Sequence, residues 1–385
     1  MNEDYPRHVV IIGPAHPLRG GLASYDERLA REFIHQGFKT TIYTFSYQYP
    51  GFLFPGTTQF STEPVPEDIN IRIRINSVNP LNWILVGNEL KKIRPDIIVV
   101  RYWLPFMGPC FGTILRRVKK NHFTKIICIA DNIIPHEKRP GDVMFTKYFV
   151  RPVDGFITMS KEVLDQLTTM NIRKPAKYVL HPLYDNFGEK ISKEEARKTL
   201  QIDNQSRLLL FFGFIRKYKG LDLLLKAMKI LVRNNANNDL KLLIAGEFYE
   251  DPKHYEELLN DSVLEKHLIV HTQFISDTQV KFYLCAADCI VQPYRDATQS
   301  GVTPLAYHFE IPMIVTNVGG LPSMVPDKKV GLVTQPDPQH IADAITEYFR
   351  IGKENFLMGL REEKKKYSWK EMVNVIVNLA KEETT

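Results

Sequence analysis

The stretch Gly213-Phe-Ile-Arg-Lys-Tyr-Lys-Gly220 decides how this chain reads. It follows the apolar run Leu208-Leu-Leu-Phe-Phe212 and precedes the helical pattern Leu221-Asp-Leu-Leu-Leu-Lys-Ala-Met228. A buried strand therefore ends in a loop that is bounded by glycines and carries three cations, and a helix begins there. Open parallel sheets bind ligands at such strand ends. Arg216, Lys217 and Lys219 beside free backbone donors suit a diphosphate, because cations and a helix N-terminus attract the same anion. Charge runs are usually solvated, so this segment alone is compatible with a plain surface loop.

A second segment shifts the balance. Asp288-Cys-Ile-Val-Gln-Pro-Tyr294 reads as a strand, and Arg295-Asp-Ala-Thr-Gln-Ser-Gly301 as a small-residue loop. Val302 to Phe309 reads as a helix, and Ile311 to Gly320 as a strand with a Gly-rich end. The hydroxyls and uncommitted N–H groups of Thr298 to Gly301 suit phosphate oxygens or a helix cap, and the two roles are compatible.

The rest of the chain repeats this alternation. Strands are expected at His8–Gly13, Lys39–Phe45, Asn70–Ile75, Asp96–Val100, Lys125–Ile129 and Gly155–Met159, with helices between them. Gly37 reads as a helix C-terminus. Near Pro182 to Asn186 the chain turns polar, and a second alternation runs from Lys193 to Arg350. The expectation is an α/β protein of two doubly wound, Rossmann-like domains. Residues 1–186 form the first, with a C-terminal helix over 367–385 packing back on it, and residues 187–366 form the second. Tyr47 to Pro66 reads as a long irregular loop, a feature that is often functional.

Composition narrows the class. The chain has 385 residues, 44% hydrophobic and 24% charged, with a net charge of +6. That is ordinary globular material, long enough for two domains. Cys110, Cys128, Cys285 and Cys289 lack metal-finger spacing and read as reduced thiols. Met1-Asn-Glu-Asp-Tyr-Pro does not read as a signal peptide. No uncharged apolar run reaches membrane-spanning length. The expectation is a cytoplasmic protein. Arg116-Arg-Val-Lys-Lys120 would place Arg117, Lys120 and Arg116 on one helix face, either solvated or docked on anionic lipid at the inner face of the membrane. No nucleic-acid motif is present.

Taken together these residues resemble the family 4 retaining glycosyltransferases of GT-B fold, whose two domains face each other across a cleft. The resemblance rests on the first strand with Gly20-Gly21, on Gly155-Phe-Ile-Thr-Met-Ser160, and on Gly213 to Gly220. It also rests on Leu242-Leu-Ile-Ala-Gly246, Ala287-Asp288 and Pro312 to Gly320. It implies transfer of a sugar, with retention, from a nucleotide-diphosphate donor to an acceptor hydroxyl in cell-surface polysaccharide or lipopolysaccharide synthesis. The acceptor is a glycan or lipid-linked glycan, the contact with the membrane is peripheral, and no metal or other cofactor is expected. Nucleic acid is not an expected partner.

The resemblance gives Lys219 a diphosphate-binding role, with Arg216 supplying the charge of an Arg that the family carries at the position of Phe214. It puts the family's two Glu positions at Ala297 and Leu305, whose side chains accept no hydrogen bond. Asp296 and Gln299 are candidate replacements at the sugar, and Gln299, Ser300 and Gly301 offer backbone N–H groups. Gly246, Glu247 and Phe274 complete the donor side, and the nucleobase is expected near Phe248 or Phe274. Gly20 and Gly21 would let backbone approach the diphosphate or acceptor. His136, Asp131 and Asn132, after the strand Lys125 to Ile129, share the candidacy for the catalytic group; His16 is a weaker candidate. Two other readings are a nucleotide-sugar 2-epimerase of the same fold, with Asp131, Glu137 and Glu247 as its carboxylates, and an inactive sugar-nucleotide binding partner.

Overall fold

The computed structural model describes residues 8–50, 58–134, 140–233, 239–297 and 300–382. The chain divides into two compact units, residues 1–180 with 368–385, and residues 181–367.

The first unit alternates β1 (His8–Ile12), α1 (Gly21–His35), β2 (Lys39–Tyr47), β3 (Asn70–Asn76), α2 (Pro80–Ile93), β4 (Ile97–Tyr102) and α3 (Gly108–Lys119). It continues with β5 (Lys125–Ala130), α4 (Asp142–Val150), β6 (Gly155–Thr158), α5 (Lys161–Thr169) and β7 (Ala176–Tyr178). The seven strands pair in parallel in the order β3-β2-β1-β4-β5-β6-β7. The central strands β1 and β4 are apolar and buried along nearly their whole length, as a sheet covered on both faces requires. α1 ends where Gly37, at φ +88°, lets Phe38 donate back to the Phe33 carbonyl at 3.0 Å.

The second unit runs α6 (Lys193–Leu200), β8 (Arg207–Phe212), α7 (Leu221–Arg233), β9 (Leu240–Ala245), α8 (Lys253–Leu259), β10 (Leu268–His271) and α9 (Asp277–Ala286). Then follow β11 (Cys289–Gln292), α10 (Val302–Phe309), β12 (Met313–Thr316), α11 (Leu321–Met324), β13 (Gly331–Thr334), α12 (Pro338–Ile351) and α13 (Glu354–Lys364). Its six parallel strands are ordered β10-β9-β8-β11-β12-β13. Each sheet reverses its strand order once, between β1 and β4 and between β8 and β11. Those reversals open the crevices in which doubly wound sheets take ligands.

The last helix, α14 (Trp369–Lys381), belongs to the first unit. Its buried face is Trp369, Met372, Val373, Ile376, Val377 and Ala380, a helical stripe set against α1, β5 and β6. Gly155 makes the approach possible, because a Cβ there would lie 2.8 Å from Leu379 Cγ. Trp369 packs on Tyr25 at 4.8 Å between ring centroids, with the Arg28 guanidinium 5.1 Å from the indole.

The buried Arg197–Asp288 pair of the second unit is densely bonded. Arg197 has no exposed surface and donates to the carbonyls of Ala286, Asp203, Asn204 and Ser206 and to Asp288 at 3.0 Å. Asp288 also accepts from Lys193 and from the Leu208 N–H. This network ties α6 to the start of β8 and β11. Arg197→Met therefore leaves buried acceptors empty, and chemical denaturation should show a loss of about 3–5 kcal/mol.

Candidate functional site

The second unit's crevice lies where β8 and β11 part. Gly213, at φ +96°, ends β8 and leaves the space into which Lys219 folds: a Cβ there would sit 3.1 Å from Lys219 Nζ. A turn over Lys217–Lys219 leads to Gly220, whose φ of +67° is left-handed. A Cβ on Gly220 would meet the Pro293 carbonyl at 2.0 Å, so glycine is what lets this loop touch the end of β11. We expect Gly220→Ala to cost at least about 1–3 kcal/mol, measured as a fall in melting temperature with the fold retained.

Neighbouring loops brace this one. Arg295 forms a two-pronged ion pair with Asp222 at 2.6 Å and donates to the Lys217 carbonyl, while its own N–H reaches Tyr218 O. On the other side the loop after β9 runs parallel to residues 213–217. Ile215 N–H donates to Glu247 O, Tyr249 N–H to Ile215 O, and Lys217 N–H to the Glu250 carboxylate. Gly246, at φ +143°, permits this contact, since a Cβ would lie 2.3 Å from Gly213 O. Tyr249 stacks on Phe214 at 3.9 Å, and the Arg216 guanidinium sits 5.3 Å from the Tyr249 ring.

Two cations of this loop face the crevice. Arg216 is exposed and Lys219 half-buried. Burial first, and Arg216 second, push the Lys219 ammonium down to about 8. Its Nζ lies 5.7 Å from the Tyr294 ring centroid. Among the described residues neither Arg216 nor Lys219 is in an ion pair, and the two cations are close enough for Arg216 to lower the Lys219 pKa.

The other expected donor residues surround this point unevenly. Ser300 is buried, and its Oγ accepts from the N–H of Val302, the first residue of α10, at 3.2 Å. Gly301 is exposed at the helix start, with the Tyr184 ring 3.6 Å from where its Cβ would be. Asp296 is exposed, Glu247 is buried with its carbonyl in the loop pairing, and Phe274 is half-buried after β10. Thr298 and Gln299 lie outside the described residues. Ala297 and Leu305 are both buried, and the Ala297 carbonyl accepts from the Gly320 N–H at 3.0 Å. The loop is thus packed against Gly319 and Gly320. Tyr249, Tyr294 and Arg295 were not anticipated; only the strand order sets their loops beside residues 213–220.

In the first unit, Gly20, at φ +104°, caps α1 at the carboxyl edge of the sheet, and Gly21 opens the helix. Residues 58–61, from the irregular segment after β2, pair with 17–19 there: Arg19 N–H donates to Gln59 O and Ser61 N–H to Pro17 O. Residues 51–57 lie outside the described residues. His16 Nε2 is 3.3 Å from the Glu63 carbonyl. Asp131 follows β5, buried, in a two-pronged pair with Arg101 of β4 at 2.5 and 2.7 Å. Asn132 Oδ1 is buried without a hydrogen-bond partner. The backbone beyond it is clamped by Gln166, which accepts from the Ile133 and Ile134 N–H groups. His136 and Glu137 lie outside the described residues. Among the described residues no group of three or more His, Cys, Asp or Glu is placed to hold a metal ion, and no helix is long and apolar enough to cross a membrane.

Two Rossmann-like units with a cationic crevice define a class, and the comparisons name it. Residues 192–368 match the family described as Glycosyl transferases group 1, almost the span of the second unit. The chain is 24% identical to an uncharacterized glycosyltransferase of Methanocaldococcus jannaschii, over 98% of this chain and 96% of the relative. It is 26% identical to a D-inositol 3-phosphate glycosyltransferase of Corynebacterium urealyticum, over 50% of this chain and 47% of that one. It is 26% identical to the lipopolysaccharide core mannosyltransferase LpsB of Rhizobium meliloti, over 50% and 54%. The chain thus spans about half the length of these last two relatives. Among solved structures, Anabaena HepE superposes with a TM-score of 0.74 at 13% identity, covering 97% of this chain and 99% of that one. At that identity the likeness speaks for the fold, GT-B. The second unit thus carries the match to the glycosyl transferases group 1, over a little under half of the chain.

Proposed function

We propose that this protein transfers a sugar from a nucleotide-diphosphate donor to an acceptor hydroxyl, with retention at the anomeric carbon. The observation that carries the reading is the convergence of Lys219 and Arg216 on the β8/β11 crevice, with neither cation in an ion pair among the described residues. In the reaction the bond from the anomeric carbon to the diphosphate oxygen breaks. A bond to the acceptor oxygen forms on the same face, the acceptor proton departs, and the nucleoside diphosphate leaves with the electron pair. Charge grows on that diphosphate, and preorganised cations stabilise it most where water is excluded. In this reading the two side chains stand in for a metal.

Three further points support parts of the reading. The Anabaena neighbour was solved with UDP and glucose, which makes a uridine diphosphate sugar the first donor to try. The Rhizobium relative works on lipopolysaccharide core, which favours a cell-surface glycan as acceptor. For the step at the acceptor, Asn132 and His136 are the candidates we retain. Asp131 is committed to Arg101. Incubation with a panel of nucleotide sugars and lipid-linked glycans, with product anomers read by NMR, tests the assignment. Transfer with inversion would remove the retaining mechanism, and no transfer from any donor would remove the enzyme reading.

The crevice also fixes a pH dependence. The Lys219 ammonium titrates near 8 in the free protein, and a bound diphosphate raises that value by favouring the charged form. Binding just above pH 8 therefore takes up a proton, and affinity falls as pH rises further. Calorimetry with UDP in buffers of different ionisation enthalpy should show this uptake. Lys219→Arg, charged throughout, should bind without it.

A further inference from the structure

We infer that Tyr294 is a positioning residue of the second unit's crevice, holding the Lys219 side chain in register with the start of α10. It lies two residues beyond β11 and is 3% exposed, so it acts through its neighbours and not on a ligand. What the crevice binds rests on the donor reading above; the placement of Lys219 does not. Gln292, the last residue of β11, and Tyr294 both reach α10, as residues two apart on a strand share a face. Gln292 Nε2 donates to Thr303 Oγ1 at 3.1 Å, and Tyr294 Oη lies 3.4 Å from Ser300 Oγ. Ser300 Oγ in turn accepts from the Val302 N–H. All four side chains are buried. Buried polar groups hold one another in place, because a broken contact leaves an unpaired atom away from water.

The same ring borders the Lys219 loop. Tyr218 packs edge-on against Tyr294 at 6.1 Å between ring centroids. The Arg295 N–H donates to the Tyr218 carbonyl at 2.6 Å. Thr316 Oγ1, at the end of β12, donates to the Tyr294 carbonyl at 2.6 Å. Tyr294 is thus fixed by its backbone as well as by its ring. The two sides meet at Gly213. The space of its absent Cβ is bordered by Lys219 Nζ at 3.1 Å and by Val302 Cγ2 at 3.8 Å. The ammonium and the first residue of α10 therefore flank one point, and Tyr294 contacts the neighbours of both.

Placement matters because α10 alone is short of donors. It opens with Val302, Thr303 and Pro304. The Val302 N–H is taken by Ser300, and Pro304 has none. A diphosphate at this helix start needs the Lys219 charge beside the donors that remain. Of the charged groups on the flanking elements, Arg216 acts on Lys219, Asp222 is taken up by Arg295, and Asp296 acts on Tyr218. Burial pushes the Tyr294 hydroxyl above the ordinary tyrosine range, so it keeps its proton and stays available to Ser300 at neutral pH. A tyrosine that only filled space would give way to Phe without consequence for Ser300.

The test titrates Lys219 in the free, full-length protein by NMR with isotope-labelled lysine, its signal assigned by loss in Lys219→Arg. Calorimetry with UDP and with inorganic diphosphate follows binding. Tyr294→Phe keeps the ring, so Lys219 should still titrate near 8. Binding should weaken about threefold to tenfold, the loss of one hydrogen bond. Ser300→Ala should weaken binding as much, and the double variant no further, since the hydroxyl acts through Ser300. Tyr294→Leu should lift the Lys219 titration toward the ordinary lysine value, about 10.4, as water reaches the ammonium. It should also weaken binding more than Tyr294→Phe does. Tyr294→Leu loses buried volume; where it unfolds, the Phe and Ala variants carry the test. A Lys219 titration unchanged in Tyr294→Leu overturns the inference, and so do Phe and Ala effects that add. If wild type binds neither UDP nor inorganic diphosphate, the donor reading falls, and the titration in the free protein still decides the placement.

Discussion

Replacing Arg216 and Lys219 together by Ala is expected to lower sugar transfer by about a thousandfold or more without weakening the fold. Removing one preorganised donor from a developing oxyanion costs about 10²–10³ in kcat in a measured case, and effects within one site combine non-additively. Stability should move the other way. Lys219 carries a charge whose pKa is lowered by burial and by Arg216, so its ionised form is uncomfortable in the folded protein. Removing it should leave the melting temperature unchanged or raise it. The single variants separate the two groups. Arg216→Ala removes the second cause of the shift, so the titration of Lys219 should move up from about 8 while transfer falls. Tyr249→Leu, which takes away the ring beneath Arg216, should produce a weaker version of both changes. Turnover within a few-fold of wild type in the double variant would sink the diphosphate assignment, whatever the chain then proves to transfer.

The outline of this site could be read from the chain because its key elements are local. A buried run, a glycine at each end of a loop and a helix beyond it are enough to place Gly213, Lys219 and Gly220 at a strand end. What surrounds them is not local. Tyr249 and Tyr294 flank the loop only because β9 and β11 are the neighbours of β8, and pairing order is decided by the whole sheet. The same holds for Arg101, thirty residues before the Asp131 it binds. Elements escaped for reasons of the same kind. β7, Ala176–Tyr178, is three residues at a sheet edge and carries no apolar run. α13, Glu354–Lys364, is highly polar and interrupted by Gly359, which is required by packing: a Cβ there would lie 2.1 Å from the Lys329 carbonyl. The Arg116 run was visible as charge, but its division into committed and exposed cations needed the positions of Tyr148 and Asp154.

The second large effect is expected from Arg101, at the point where β1 and β4 part. Its guanidinium is buried, pairs with Asp131, lies 3.7 Å from Asp26 and sits 3.9 Å from the Tyr25 ring centroid. Two carboxylates thus face one cation in a site closed to water. Ion pairing accounts for one of them. Asp26 is pushed well above the carboxylate range, by burial first, and both its oxygens are buried without a hydrogen-bond partner. It also fills the space beside Gly13, where a Cβ would fall 2.1 Å from Asp26 Oδ2. Arg101→Met removes the cation that faces both acids and should destabilise the protein by about 3–5 kcal/mol in chemical denaturation, the cost of breaking a buried pair. Asp26→Asn should be tolerated, since the group it replaces is held toward its neutral form. The sign of the pH effect follows. A carboxyl whose folded pKa is raised contributes stability that is complete below its unfolded value, near 3.9, and is lost as pH rises through the folded value. Wild type should therefore lose stability upward from about pH 4, and Asp26→Asn should lack that slope. If the wild-type and Asn profiles run parallel, Asp26 is ionised in the folded protein. Arg101 then shares its charge between two carboxylates, and the Arg101→Met loss should exceed the range given.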